Sequence, residues 1–284
     1  MSFSFTAPTS LEYFRSLVQS DAQFPLLEAA ISLAQDEYPN LDVQAVLGEV
    51  DQLLARLKRR IAPDAPPVHR LRMLTQYFYR DLGFGGNVND YYDPDNSYVS
   101  VVLRNRRGIP ISLAVLWLEL AQGLGLAARG IGFPGHFLMK VNLPNGQVVI
   151  DPFSGQSLSR EELSARIEPF YVSRGLAGRP DDIPLGQHLQ VAPPREIIAR
   201  MLRNLKEIHR NQEDWQRLVA VQDRLLILLP QAWEELRDRG LALVELGLAR
   251  PALQDLETYL AQVRESQDRQ AVLEQIAGLR RALG

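Results

Sequence analysis

The most constraining stretch of this sequence is a nearly unbroken apolar run at residues 108–122, GIPISLAVLWLELAQ. Only Ser112 and Glu119 interrupt its apolar part. A helix that is apolar on almost every side is stable only in the interior of a protein. Pro110 suits the first turn of such a helix, where its missing N–H costs nothing. The run therefore predicts a buried helix around which the rest of the chain is arranged.

Ser112 falls in the first turn of this predicted helix. Backbone N–H groups there lack helical partners, and the helix dipole favours negative charge. The serine could be a nucleophile, or it could be an ordinary residue of a helix start. The residues alone leave both interpretations open.

Composition excludes several classes of function. The 284 residues are 46% hydrophobic and 23% charged, a balance typical of soluble globular proteins. A net charge of −3 gives no general attraction to nucleic acids or anionic membranes. The sequence has no cysteine, which excludes disulfides, thiol catalysis and cysteine-ligated metals. We expect a cytoplasmic protein that uses no metal or cofactor and has no membrane span or secretory signal.

Before the buried helix, residues 10–82 have apolar side chains at helical spacing and predict a series of helices. Asp42 is expected to open one of them, and residues 68–82 to form the last. Ser97–Leu103 (SYVSVVL) has the composition of a short strand or an extended lead-in.

Residues 83–107 are rich in glycine, asparagine and aspartate, which is typical of turns and irregular loops. Tyrosines in this segment could form a recognition surface or pin the loop to the body of the protein. Its arginines could hold an anion near the start of the buried helix or be solvated loop charges. We take Tyr98, Arg104 and Asn105 as candidate binding residues.

A β-hairpin is predicted after the buried helix, because FLMKV and QVVID flank the turn sequence LPNG. If Leu143 pairs with Gly146, Leu138 lies opposite Asp151. His136 is then a diagonal neighbour of Asp151, at about 7–8 Å between α-carbons. A tighter Asn145–Gly146 loop would pair Asp151 with Lys140 and leave His136 farther away. The sequence alone does not decide between these registers.

The remaining chain predicts a linker followed by helical repeats. Ser159 and Glu162 form a capping-box pattern, so residues 160–168 are expected to be a helix. Residues 169–194 are rich in glycine and proline and predict a linker or a wrapped loop. From residue 195 onward, the positions Gly240, Leu243, Gly247, Ala252 and Leu256 follow the spacing of a tetratricopeptide unit, a helix pair of about 34 residues.

The segments IPISLAVLWLELAQGLGL, FPGHFLMKV and VVIDPFSG resemble the transglutaminase-like domain of SirB-type bacterial proteins, which also carry C-terminal tetratricopeptide repeats. The resemblance extends from about residue 40 to the C-terminus and is most specific between Tyr91 and Gly155. It implies an α+β fold. A helical N-terminal region and a small antiparallel sheet would form a papain- or transglutaminase-like core, followed by an all-α tetratricopeptide-like module. We expect residues 1–168 to contain the core, 169–194 the linker and 195–284 the repeats.

The same resemblance implies a catalytic constellation. Ser112 stands where transglutaminases have a catalytic cysteine, His136 matches the histidine, and Asp151 matches the third member. The replacement of cysteine by serine at this position matters, because a serine hydroxyl is far less acidic than a thiol. As a nucleophile it needs an efficient general base and an oxyanion hole.

Two functions follow from this pattern. The first is a pseudoenzyme that acts as a regulatory adaptor and binds a protein or peptide through its cleft and its repeats. The alternative is a hydrolase or acyltransferase with a Ser112–His136–Asp151 triad. Nucleic-acid binding is disfavoured by the charge balance, and the sequence predicts no oligomeric state.

Overall fold

The computed structural model describes residues 8–173 and 184–284. The chain forms two compact units. One comprises Asp21–Ile198, and the other comprises Ala199–Gly284 with the described residues that precede Asp21. None of the described helices is both long and apolar enough to cross a lipid bilayer.

Helix α1 (Ser10–Leu17) belongs to the second unit, and the first unit contains most of the helices that follow. These are α2 (Leu26–Ser32), α3 (Val43–Lys58), α4 (Pro67–Thr75), α5 (Val99–Asn105), α6 (Pro110–Gly123), α7 (Arg160–Ser173) and α8 (Leu185–His188). The Asp42 side chain caps α3 by accepting a hydrogen bond from the Ala45 N–H (3.0 Å), as the sequence predicts. After Thr75, the predicted helix over residues 68–82 continues as a π-helical turn, Gln76–Asp81.

Helix α6 is the predicted buried helix. Every residue from Pro110 to Leu118 is buried, and Glu119 is only partly exposed. The helix packs against α2, α3, α4 and α5 on several sides and against the sheet. Its apolar sequence is therefore explained by neighbours that surround it.

The described residues of the first unit form two sheets. A two-residue parallel ribbon pairs β1 (Gly85–Gly86) with β2 (Arg107–Gly108). The main sheet is antiparallel in the order β3-β4-β5-β6, with β3 (Ala127–Ile131), β4 (Leu138–Leu143), β5 (Gly146–Ile150) and β6 (Ser157–Leu158). Leu143 pairs with Gly146 and Met139 with Ile150, which is the first of the two registers that the sequence allows.

The strand prediction for Ser97–Leu103 is wrong, since Val99–Asn105 is helix α5. The residues Val99, Val101, Val102 and Leu103 are all buried there. Helix α5 packs on α2 and α6. β-Branched residues favour strands only weakly, so burial against these helices overrides the local preference.

Helix α7 is longer than predicted. It includes Pro169 and continues to Ser173, because Phe170 and Tyr171 pack against the apolar cluster that contains Ile167. Of the predicted linker 169–194, residues 174–183 lie outside the described part of the chain. At the end of this segment, Val191 forms a single bridge with Ile131 of β3, and the Ala192 N–H donates to the Gly130 carbonyl (2.9 Å).

The second unit is all-α. After α1 it contains α9 (Pro194–Asn211) from Ala199 onward, then α10 (Trp215–Leu228), α11 (Trp233–Glu245), α12 (Ala249–Gln262) and α13 (Arg269–Leu283). Gly247 has φ +70° in the turn between α11 and α12, while Ala252 and Leu256 are completely buried. A Cβ on Gly240 would lie 2.8 Å from a methyl group of Leu256. The spacing that predicts a tetratricopeptide unit is therefore explained by close packing of α11 on α12.

We expect Gly240→Ala to reduce the free energy of unfolding by about 1–3 kcal/mol, because the added methyl group overlaps Leu256. Gly278→Ala in α13 is the matched control, since a Cβ at that position would have no other atom within 4 Å. The control should be neutral or stabilising by about 0.4–1 kcal/mol. Urea unfolding of both variants tests this, and equal effects would contradict the packing argument.

Candidate functional site

His136 is positioned by the short turn that leads into β4. In the sequence FPGH, the His136 N–H donates to the Phe133 carbonyl (3.1 Å), and Gly135 has φ +67°. Pro134 before a glycine with positive φ is the pattern of a type II turn. The turn leaves the imidazole 23% exposed and directs it towards the end of β5.

Asp151 follows β5 directly and begins the loop DPFSG. Its backbone N–H donates to the Gln156 carbonyl (2.9 Å), and its carbonyl accepts from the Gly155 N–H (2.7 Å). Its carboxylate also accepts a hydrogen bond from the Phe153 N–H (2.9 Å), as an aspartate at the start of a turn commonly does. The loop therefore holds the Asp151 side chain in one place.

His136 and Asp151 are in direct contact. His136 Nε2 lies 3.0 Å from Asp151 Oδ1, and the aspartate side chain is almost fully buried. Because an ionised carboxylate can only accept, Nε2 carries the proton. Among the described residues nothing is hydrogen-bonded to Nδ1, which is therefore the nitrogen available to a substrate or nucleophile.

Arg166 is a member of this cluster that the sequence analysis missed. Its Nη1 lies 2.9 Å from Asp151 Oδ2, the carboxylate oxygen that faces away from His136. Burial alone would raise the pKa of Asp151, but the hydrogen bonds from His136, the Phe153 N–H and Arg166 together lower it. The capping box at Ser159 predicts helix α7, but no sequence signal indicates that Arg166 faces Asp151.

Ser112 lies in the first turn of α6 and is completely buried. Its hydroxyl donates to backbone carbonyls, with Oγ 2.6 Å from the Asn96 oxygen and 3.0 Å from the Ile109 oxygen. Within the described chain, no hydrogen bond joins Ser112 to His136. The structure therefore brings His136 and Asp151 together and places the Ser112 proton on main-chain acceptors.

Asn96 connects Ser112 to the polar loop before α5. Its carbonyl accepts from both the Ser112 hydroxyl and the Ile109 N–H (3.2 Å). Its side chain donates to the Asp90 carbonyl (2.5 Å) and accepts from Asn87 Nδ2 (3.0 Å). Ser112 thereby helps to anchor an irregular loop on the start of the buried helix.

Glycines allow aromatic rings to pack beside the Asp151 loop. A Cβ on Gly86 would lie about 2.0 Å from the Phe153 ring, and one on Gly155 would lie 2.5 Å from the Tyr79 ring. The Tyr79 hydroxyl donates to the Pro152 carbonyl (3.1 Å). Burial, together with the nearby charge of Asp151, strongly raises the pKa of Tyr79, so the hydroxyl keeps its proton.

The candidate binding residues lie elsewhere. Tyr98 is buried, with its ring edge-on to Tyr38 at 6.0 Å between centroids. Arg104 lines a cavity of about 750 Å³ between α5 and the start of α3, and Asn105 is exposed at the end of α5. A binding role for these residues stays a prediction. The described residues contain no group of three side chains arranged to hold a metal ion.

The lowered pKa of Asp151 predicts a pH-dependent contribution to stability. Ionised Asp151 stabilises the folded protein above the pKa of an unfolded aspartate, about 3.9, and this contribution is lost as the pH falls through the lower folded value. We expect Asp151→Asn to unfold more easily than the wild type at pH 7, by about 1–3 kcal/mol. The difference should shrink below about pH 4.

Urea unfolding from pH 3 to pH 7 measures this difference. Asp64→Asn, at an exposed position in a loop, is the control and should change stability little at any pH. A constant difference between wild type and Asp151→Asn across the range would contradict the role given to the carboxylate.

Comparison with known proteins identifies both units. Residues 44–203 match the profile of the transglutaminase-like superfamily, and residues 205–277 match a tetratricopeptide-repeat profile. The crystal structure of menin aligns with 95% of this chain and 69% of its own chain, at 12% identity and a TM-score of 0.42.

Curated bacterial relatives match over most of their length. A UPF0162 protein of Xylella fastidiosa strain Temecula1 is 40% identical over 241 residues, which are 84% of this chain and 84% of the relative. A UPF0162 protein of Vibrio cholerae is 29% identical and covers 83% of this chain and 85% of its own. The SirB-type designation stays a prediction. The chain therefore belongs to the transglutaminase-like superfamily and, with its relatives, to the UPF0162 family, and it carries tetratricopeptide repeats after the transglutaminase-like domain.

Proposed function

We propose that this protein is a non-catalytic adaptor, in which a transglutaminase-like domain and tetratricopeptide repeats bind protein partners. The observation that carries the proposal is the environment of Ser112. Its hydroxyl is completely buried, and its proton is donated to the carbonyls of Asn96 and Ile109. Nucleophilic attack would require this proton to pass to His136, which has no hydrogen bond to Ser112 in the described structure.

The chemistry of the residue supports the same conclusion. A thiol at a helix start beside a histidine is readily ionised near neutral pH, and a serine hydroxyl is not. The chain has no cysteine that could take this role. The anchoring of the Asn96 loop gives Ser112 a structural role that needs no catalysis.

The repeats support an adaptor role independently of the transglutaminase-like domain. Tetratricopeptide units stack into surfaces that commonly bind peptides. Four large apolar side chains in the described part of this unit, Leu246, Leu248, Leu273 and Leu283, are at least 36% exposed. Exposed apolar side chains on a repeat module fit contact with a partner.

One observation favours a second candidate, a hydrolase or acyltransferase. His136 is paired with Asp151, partly exposed, and has Nδ1 available. In this alternative Ser112 is the nucleophile, His136 the general base, and Asp151 the residue that orients the imidazole. Ser112 would first have to break its bonds to the backbone carbonyls.

A fluorophosphonate probe distinguishes the two functions, since it labels activated serines. If the protein is an adaptor, wild type and Ser112→Ala should label equally weakly under conditions in which a known serine hydrolase labels fully. Ser154→Ala is the control, because Ser154 is exposed in the Asp151 loop and could label without any triad. Labelling of the wild type that is lost in Ser112→Ala and kept in Ser154→Ala would establish the hydrolase.

Binding through the repeats can be tested on the full chain. We expect Leu248→Glu combined with Leu273→Glu to remove at least some of the proteins that co-purify with the wild type, because buried charge at an apolar contact is costly. Val172→Glu in α7 is the control, since it places the same charge at an exposed apolar position outside the repeats. Quantitative mass spectrometry measures the loss, and an unchanged set of partners would contradict binding through these two side chains.

A further inference from the structure

A groove lies behind the loop that carries Asp151. It has a volume of about 680 Å³ and runs between α4 with its π-helical turn on one side and β5, β6 and residues 154–157 on the other. His136 and Asp151 do not line it. Its apolar lining is Val68, Leu71, Leu143, Val148 and Ile150. Val68 is 54% exposed, so part of this apolar surface is open to solvent.

The charged side chains that line the described part of the groove are all basic. Among the residues that the structure describes, the charged ones that line the groove are Arg72 and Arg80, and none of the described carboxylates lines it. Arg72 lies 3.3 Å from the ring of His69. Within residues 8–173 and 184–284, neither arginine is paired with a carboxylate. The protein as a whole carries a net charge of −3, so this is a local concentration of positive charge beside exposed apolar surface.

We propose that this groove binds an extended, acidic segment of a protein partner. Charge complementarity selects an acidic ligand, because two guanidinium groups without carboxylate partners flank an apolar floor. The neutral polar lining residues come from both sides of the groove, namely Thr75, Gln76, Ser154, Gln156 and Ser157. The choice of a protein partner rests on the adaptor function proposed above.

The spacing of the arginines specifies the ligand further. Val68, Arg72, Gln76 and Arg80 recur every four residues along one face of the helix, and all of them line the groove. Arg72 and Arg80 are eight residues apart, which is at most about 12 Å along the axis, because the π-helical turn rises less per residue than an α-helix. An extended peptide covers this distance in about four residues. The ligand should therefore carry acidic residues at positions i and i+4, with an apolar residue at i+2 on the same face.

Contacts beneath the Asp151 loop connect the groove to the candidate site. Tyr79 and Gly155 both line the groove, and the Tyr79 hydroxyl holds the Pro152 carbonyl next to Asp151. A bound segment would therefore contact residues 154–156 of the same loop that carries Asp151, the partner of His136.

Panning a random library of linear nonapeptides against the full chain tests the proposal. We expect enrichment of peptides with Asp or Glu four positions apart and an apolar residue between them. Fluorescence anisotropy of a synthesised, enriched peptide should show at least tenfold weaker binding to Arg72→Glu/Arg80→Glu. Binding should also weaken with added salt.

The matched control is Arg59→Glu/Arg281→Glu, which makes the same change in net charge at exposed arginines outside the groove. This control should bind within twofold of the wild type. Failure to enrich acidic peptides, or equal binding by both double variants, would overturn the proposal. So would a single-stranded oligonucleotide that binds in an Arg72- and Arg80-dependent way when no acidic peptide does. This peptide-binding experiment and the test of the repeats can fail independently, because Leu248 and Leu273 do not line the groove.

Discussion

The first unit depends on burying the start of helix α6. A buried helix start must provide partners for its main-chain polar groups, because leaving one unpaired costs about 1–3 kcal/mol. Pro110 removes one donor, the Ile109 N–H donates to the Asn96 carbonyl, and the Ser112 hydroxyl donates to the same oxygen. Because Asn96 also holds the loop that contains Asp90, one set of hydrogen bonds attaches an irregular, polar segment to an apolar core.

The Asp151 carboxylate, just after strand β5, is likewise a buried polar group that hydrogen bonds connect to several elements. It receives donors from β4's leading turn, from its own loop and from α7, namely His136, the Phe153 N–H and Arg166. Three hydrogen-bond donors stabilise the ionised form of this buried carboxylate and fix its position. In the adaptor that we propose, this arrangement maintains the shape of the surface around it. In the alternative, it orients the imidazole.

Much of this fold could be predicted from local patterns. The uniform apolarity of α6, the spacing of Gly240 and Leu256, and the hairpin around LPNG each have one physical explanation, and the structure contains all three. Local reasoning failed at Ser97–Leu103, where valines that favour a strand are buried in α5 between other helices. It also failed at Pro169, where packing of the following aromatic residues lets α7 continue.

The sequence by itself determined which side chains are present for chemistry and where the main elements begin, because turns, caps and apolar periodicity act over a few residues. A serine in place of a thiol is also visible in the sequence alone. Only the tertiary structure decided what those side chains contact. The hairpin register brings His136 to Asp151, helix α7 adds Arg166, and the Asn96 loop takes the Ser112 proton. These contacts join residues 15 or 16 positions apart, so no local pattern specifies them.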